Sequence, residues 1–312
     1  MVENKAVKKV QFFIDDVIWL FRDLTRQNPK SIFDNAFLKM LKKAHDEYGL
    51  KVQLNCFYRT SFWYGNDEFS LADMTDKYKA EFIEASNWLK FGFHSIEEWP
   101  DYPYVNADYE QVDENYNRIK KEIVRFAGEN SFAKSVLPHW VPMSKEGVKA
   151  LYDNGVRLML ATFGDKKEWD GKQDSLPYGH SFRLIHNRKP ETGVFTRKGR
   201  DAAIANSICG HNNLTEKQHN EIFGTTKTVL DQETGMRFVS VGDYLLNLST
   251  IDKIEDDMKK YVGMEYLPIG NHEQYFYKDY YAYQADYSDK MLASAKIFSE
   301  NGFEFVFAED LI

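Results

Sequence analysis

Two adjacent carboxylates and several histidines stand where apolar runs of this chain end. The run 10–17 contains Phe12, Phe13 and Ile14 and then Asp15 and Asp16; 51–58 ends on Tyr58, with Arg59 next; 90–94 ends on His94; 135–139 ends on His139; 265–272 ends on His272, followed by Glu273. Carboxylates and imidazoles move protons near neutral pH and bind divalent transition metals. Successive residues of a strand point to opposite sides, so only one of Asp15 and Asp16 can face a common site unless the strand has ended. Two carboxylates held close repel, which raises the pKa of one. Such a pair suits one metal ligand and one general base; it also suits a helix N-cap beside a solvated neighbour.

His94 opens the segment His94-Ser95-Ile96-Glu97-Glu98. If the chain turns helical after the strand, positions i and i+4 fall on one face. Glu98 then completes a metal set with Asp16 and His94, a mixed nitrogen and oxygen shell suited to zinc or another divalent transition metal. His139 is placed either as a substrate contact or as an additional ligand.

The elements that must position these groups follow from patterning. Short apolar runs at 10–17, 51–58, 90–94, 135–139, 156–162, 265–272 and 304–307 alternate with helical stretches at 31–48, 76–89, 108–127, 144–154 and 288–301. That alternation is the pattern of repeated βα units, whose C-terminal strand ends converge on one face of a barrel. The stretch 163–214 breaks the pattern and reads as a loop-rich insertion at one mouth; His180, His186, His211 and His219 lie in or beside it. At 312 residues, with 43% hydrophobic and 28% charged side chains, the chain can bury one large core. A formal net charge of −8 argues against nucleic acid or an anionic membrane as partner. Two cysteines without a CxxC pair imply neither a disulfide framework nor a thiolate zinc site. No apolar run spans a bilayer and the first nine residues are too polar for a secretory leader, so a cytoplasmic location is expected. The 19 Tyr and 23 Phe either stack on sugars or fill the core.

Phe13-Ile14-Asp15-Asp16 resembles the Thr-Phe-Asp-Asp motif of the polysaccharide deacetylases, of the glycoside hydrolase/deacetylase barrel superfamily. His94-Ser95-Ile96-Glu97-Glu98 is similar to that family's His-Ser-x-x-His motif, and Ile269-Gly270-Asn271-His272 to its late histidine motif. The resemblance implies a distorted (β/α)7 TIM-like barrel covering 1–312 as one domain outside the insertion. It also implies that Asp16 and His94 are metal ligands, Asp15 the base and His272 the acid, and that the reaction is hydrolysis of an acetamide or ester. Two departures stand out: Glu98 replaces the second histidine, and Val136-Leu137-Pro138-His139-Trp140 lies where the family has an arginine-proline motif.

The function expected is therefore metal-dependent removal of acetyl groups from a carbohydrate or an acetylated small molecule. Arg59, His139, Trp140, Trp99 and Tyr275 are the expected substrate contacts. The alternatives are a sugar-binding barrel without this activity, and a glycosidase using a carboxylate pair among Asp15, Asp16 and Glu98.

Overall fold

The structure is a computed structural model, and it describes residues 7–60, 67–98, 103–104, 107–163 and 213–312. Nearly all of the expected insertion and Trp99 lie outside the described residues. The strands are β1 (Lys8–Val17), β2 (Val52–Phe57), β3 (Leu89–Ser95), β4 (Ser135–Val136), β5 (Leu158–Phe163), β6 (Asn213–Leu214), β7 (Val229–Leu230), β8 (Arg237–Ser240), β9 (Tyr244–Leu245), β10 (Tyr266–His272) and β11 (Phe303–Phe305). The helices are α1 (Trp19–Gln27), α2 (Ala36–Tyr48), α3 (Lys79–Ala85), α4 (Tyr109–Ala127), α5 (Lys145–Asp153), α6 (Glu216–Ile222), α7 (Ile251–Lys259) and α8 (Tyr287–Glu300).

β1 pairs in parallel with β10 on one side and β2 on the other, and β2 pairs with β3. A second parallel run joins β4, β5 and β8. The two runs meet at β3 and β4, where the Ala133 N–H donates to the Phe91 carbonyl at 2.8 Å and the His139 N–H donates to the His94 carbonyl at 3.1 Å. At the opposite seam β9 pairs with β10. There Gly242, at φ +78°, passes so close to β10 that a Cβ would lie 2.6 Å from the Pro268 carbonyl oxygen, which only glycine permits. The ring β1-β2-β3-β4-β5-β8-β10 is a distorted (β/α)7 barrel. Because its strands are covered on both faces they are mostly apolar, and all six residues of β2 are buried, Gln53 and Asn55 among them.

Several elements follow directly from local signals. The helix expected at 108–127 forms as α4, where the Asp108 carboxylate accepts the Gln111 N–H at 2.8 Å and Gly128 follows the last turn. The stretch 31–48 instead divides into a 3₁₀ turn at Ile32–Asp34 and α2, because Asn35 caps the backbone N–H groups of Phe37 and Leu38. β8 escapes a reading of the sequence, being four residues long, and stands beside β5 in the barrel, while the run expected at 304–307 forms β11 (Phe303–Phe305). β11 instead pairs with the start of β1, at Lys8 to Val10. The aromatic content goes largely into the core: the largest fully buried side chains are all Tyr or Phe, including Phe21, Phe82, Phe91 and Phe126, which pack ring against ring.

α1 begins without a side-chain cap of its own. Its start is held from the end of the neighbouring strand β10 by the fully buried Glu273, whose carboxylate accepts the N–H groups of Ile18, Trp19 and Leu20 at 2.8, 2.9 and 2.7 Å. Burial outweighs these donors and pushes Glu273 from its ordinary 4.5 up to about 7. The unfolded chain therefore loses this proton first, and stability falls as pH rises from about 4.5 to about 7, then levels. Glu273→Gln should remove that dependence and lower the unfolding free energy by about 1–3 kcal/mol, since its NH₂ faces backbone donors. Urea denaturation at pH 5 and pH 8 measures both effects, with the larger gap from wild type at pH 5.

Candidate metal centre

Asp15 and Asp16 reach the same site although β1 continues through them. Asp16 has φ +63°, in the left-handed region that Asp tolerates better than most residues, and the register between β1 and β2 shifts between Ile14 and Val17. This bulge breaks the alternation that would otherwise send the two carboxylates to opposite faces. Both are buried at the C-terminal end of the strand.

His94 is the penultimate residue of β3, two strands from β1, and His139 follows β4. The Oδ1 of Asp16 lies 3.2 Å from His94 Nε2 and 3.3 Å from His139 Nδ1, and the two imidazole nitrogens are 3.1 Å apart. The outer nitrogens are both committed: His94 Nδ1 donates to the Leu137 carbonyl at 2.8 Å, and His139 Nε2 donates to the Glu98 carbonyl at 3.1 Å. A carbonyl can only accept, so the neutral rings carry their protons on the outer side and aim bare lone pairs at Asp16. The buried Oδ1 receives no hydrogen bond, while Oδ2 accepts one from Gln274 Nε2 at 2.8 Å.

Three inward-facing lone pairs in a buried pocket repel one another unless a cation lies among them. Tetrahedral ligands held about 2.0–2.1 Å from a zinc ion are about 3.3 Å apart, close to all three edges of this triangle. The donor set therefore fits a divalent transition metal, and outer hydrogen bonds that fix the imidazole tautomers are the usual companion of such ligands. Phe57 supplies an apolar wall, its ring centroid 5.5 Å from that of His94 and 5.0 Å from that of His139.

The two carboxylates are driven apart in pKa. Burial raises Asp15, helped by the charge of Asp16 and opposed by His94 and His272. Burial acts the same way on Asp16, but hydrogen bonds from His139 and His94 and the positive charge of His139, supplied when those rings are protonated, win and hold it well below the usual carboxylate range. Burial lowers His139, whereas in His94 the same effect is overcome by Asp15 and Asp16 and the pKa rises.

The Asp15 Oδ1 accepts from Asn55 Nδ2 at 2.7 Å. Behind it Gln53 Nε2 donates to Asn55 Oδ1 at 2.8 Å, and Ser135 Oγ donates to Gln53 Oε1 at 2.9 Å, so the amide orientations are determined. Gly92 leaves room for this chain; a Cβ there would lie 2.7 Å from Gln53 Nε2. His272 stands opposite Asp15 in the β1–β10 register, and its Nδ1 lies 3.0 Å from Asn247 Oδ1. An amide oxygen only accepts, so Nδ1 of His272 carries a proton and Nε2 is the nitrogen left to exchange one.

The donors that come together differ from the expected metal set at one position. Among the described residues the gathered donors are Asp16, His94 and His139. β3 runs on to Ser95 and residues 96–98 bend without forming a helix, so the i, i+4 face that would carry Glu98 inward is absent. Glu98 is buried and enters the site through its backbone carbonyl. Arg59 is largely exposed and pairs with Glu97. Trp140 is half-buried with its ring 5.9 Å from that of His139, and Tyr275 is buried 6.2 Å from His272 and 5.2 Å from Tyr280. Trp140 and Val141 both have positive φ, 63° and 75°, a strained turn directly after a candidate ligand. His219 is not one of the gathered donors, and its Nε2 lies 3.2 Å from Ser240 Oγ. Asn55 and Gln274 are absent from the sequence expectation; Gln53 and Asn55, polar at i and i+2 in an apolar run, were the available signal.

The fold and site define a parallel α/β barrel with a buried carboxylate and bis-imidazole centre at the C-terminal ends of its strands. No protein-family model matches the chain, and no curated protein matches it in sequence. Among solved structures, the 4-alpha-glucanotransferase from Thermococcus litoralis superposes with a TM-score of 0.53 at 10% identity, over 97% of this chain and 40% of that one. The chain thus spans well under half of that enzyme, and the likeness establishes the fold alone. A family 4 acetyl xylan esterase from Clostridium thermocellum, in complex with a cobalt ion, gives a TM-score of 0.42 at 14% identity, over 97% of this chain and 90% of that one. A CE4 family pseudoenzyme from Bacillus anthracis gives 0.44 at 13%, over 98% and 65%. Among the described residues no helix is long and apolar enough to cross a membrane.

Proposed function

We propose that this protein is a metal-dependent hydrolase that removes acetyl groups from a carbohydrate or a similar acetylated molecule. The observation that carries the reading is the triangle of Asp16 Oδ1, His94 Nε2 and His139 Nδ1, with edges of 3.1–3.3 Å and lone pairs turned inward. These three residues would hold a divalent cation, zinc by donor type. When bound, it supplies Lewis-acid polarisation of a carbonyl and lowers the pKa of water.

The protein's own groups divide the proton work. Asp15 has Oδ1 occupied by Asn55, which leaves Oδ2 to take the proton of an attacking water. Its raised pKa makes it the better base of the pair, and the depressed pKa keeps Asp16 ionised as a ligand. His272, held through Nδ1 by Asn247, moves a proton at Nε2 to the leaving group. Trp140 beside His139 supplies an aromatic face suited to a sugar ring. With one Asp16 oxygen held by Gln274 and the other against both imidazoles, Asp16 is poorly placed as a glycosidase nucleophile, which favours the hydrolase over the carboxylate-pair reading.

Metal content of the purified protein, measured by inductively coupled plasma mass spectrometry, tests the proposal. About one equivalent of a divalent transition metal is expected, with release of acetate from p-nitrophenyl acetate or acetylated oligosaccharides that stops on chelation. A protein that takes up no zinc, cobalt or nickel on incubation would sink it. One that binds metal and sugar without releasing acetate would be a binding barrel.

A further inference from the structure

The dipeptide that follows His272 grips the chain at the end of β1, the strand paired with β10, twice. Glu273 takes the three N–H groups at the start of α1, and Gln274, next in the chain, reaches the Asp16 carboxylate. Both sit in the 3₁₀ turn Glu273–Phe276 and both are buried. The turn is itself closed by the Tyr277 N–H, which donates to the Gln274 carbonyl at 3.0 Å. Gln274 is therefore a fixed arm.

We infer that Gln274 is a positioning residue for the metal centre: it holds the Asp16 carboxylate so that Oδ1 alone is presented to the cation. The inference rests on the metal reading of Asp16, His94 and His139. An amide nitrogen can only donate, so the 2.8 Å contact from Nε2 occupies Oδ2 as an acceptor and sets the twist of the carboxylate plane. Asp16 depends on such a hold from outside. Its backbone lies in the left-handed region, and the ladder with β2 is interrupted on either side of it, between Ile14 and Val17. Left to rotate, the carboxylate could bring both oxygens to the metal and use a position otherwise open to water or substrate. The Gln274 clamp keeps it to one donor atom. Outer hydrogen bonds of this kind cost about 10–100-fold in metal affinity when lost.

The test compares zinc affinity by isothermal titration calorimetry and the visible absorption of the cobalt(II) form in wild type and Gln274→Met, which keeps length and removes the donor. The expected result is a loss of at least about tenfold in zinc affinity. The cobalt spectrum should weaken as Asp16 chelates and the coordination number rises, with the melting temperature of the metal-free protein little changed. Gln274→Asn, which keeps the amide one methylene short of its reach, should move both readouts the same way and serves if the Met variant fails to fold. Equal zinc affinity and an unchanged cobalt spectrum in either folded variant overturn the inference while leaving the metal site standing. Absence of zinc and cobalt binding by the wild type overturns the metal reading itself, and the role of Gln274 with it.

Discussion

His139→Ala is expected to leave the purified protein without bound metal, with an affinity loss beyond the about 10–100-fold typical of losing an outer partner. The imidazole Nδ1 is one of the three inward donors among the described residues, 3.3 Å from Asp16 Oδ1 and 3.1 Å from His94 Nε2, and its removal leaves two of them. The ring is buried, so the variant also opens a void beside Phe57 and should melt somewhat lower. Glu98→Gln is the informative companion. The substitution preserves the backbone carbonyl that receives the His139 Nε2 proton, so metal content should stay near wild type. The reverse pattern, with metal lost in Glu98→Gln and kept in His139→Ala, would restore the shell expected from the spacing of His94 and Glu98. Metal analysis of the two variants, with circular dichroism to confirm folding, decides between them.

Asp15→Asn should do the opposite: keep the metal and lose the chemistry. General-base catalysis contributes about 10²–10⁴-fold, so acetate release should fall by that factor while metal content stays near one equivalent. Asparagine is isosteric, and by turning its oxygen toward Asn55 Nδ2 it can retain the 2.7 Å hydrogen bond, so the fold should survive. The comparison is made on kcat with metal-loaded protein. A variant with unchanged turnover would remove Asp15 from the proton-transfer role and leave His272, across the β1–β10 ladder, as the group to test next.

What was legible in the sequence was whatever depends on neighbours along the chain. The apolar runs that became β1, β2, β3, β5 and β10 are visible because a parallel strand buried on both faces needs mostly apolar side chains. α4 could be bounded because its caps, Asp108 and Gly128, are local signals. β8 was not visible, since four residues carry too little pattern to separate a strand from a loop. α1 was not visible either: it lacks its own cap and takes Glu273, more than 250 positions away, in its place.

The candidate site divides along the same line. By itself the sequence determined that carboxylates and imidazoles stand at the ends of apolar runs, and so that one barrel mouth would gather Asp15, Asp16, His94, His139 and His272. Only the tertiary structure decided their partners. A bulge and a left-handed Asp16 turned two neighbouring carboxylates toward one site, against the alternation of an ordinary strand. The path of the chain after Ser95 kept Glu98 out of the trio, and the end of β4 brought His139 into it. Asn55 and Gln274 then gave the two carboxylates different surroundings, through contacts spanning 40 and 258 positions. The physical reason is that hydrogen bonds and metal ligation are decided over about 2–3 Å. Spacing along a chain locates a side chain to that precision only within a helix or strand, and every contact that assigns a role here joins segments far apart in the chain.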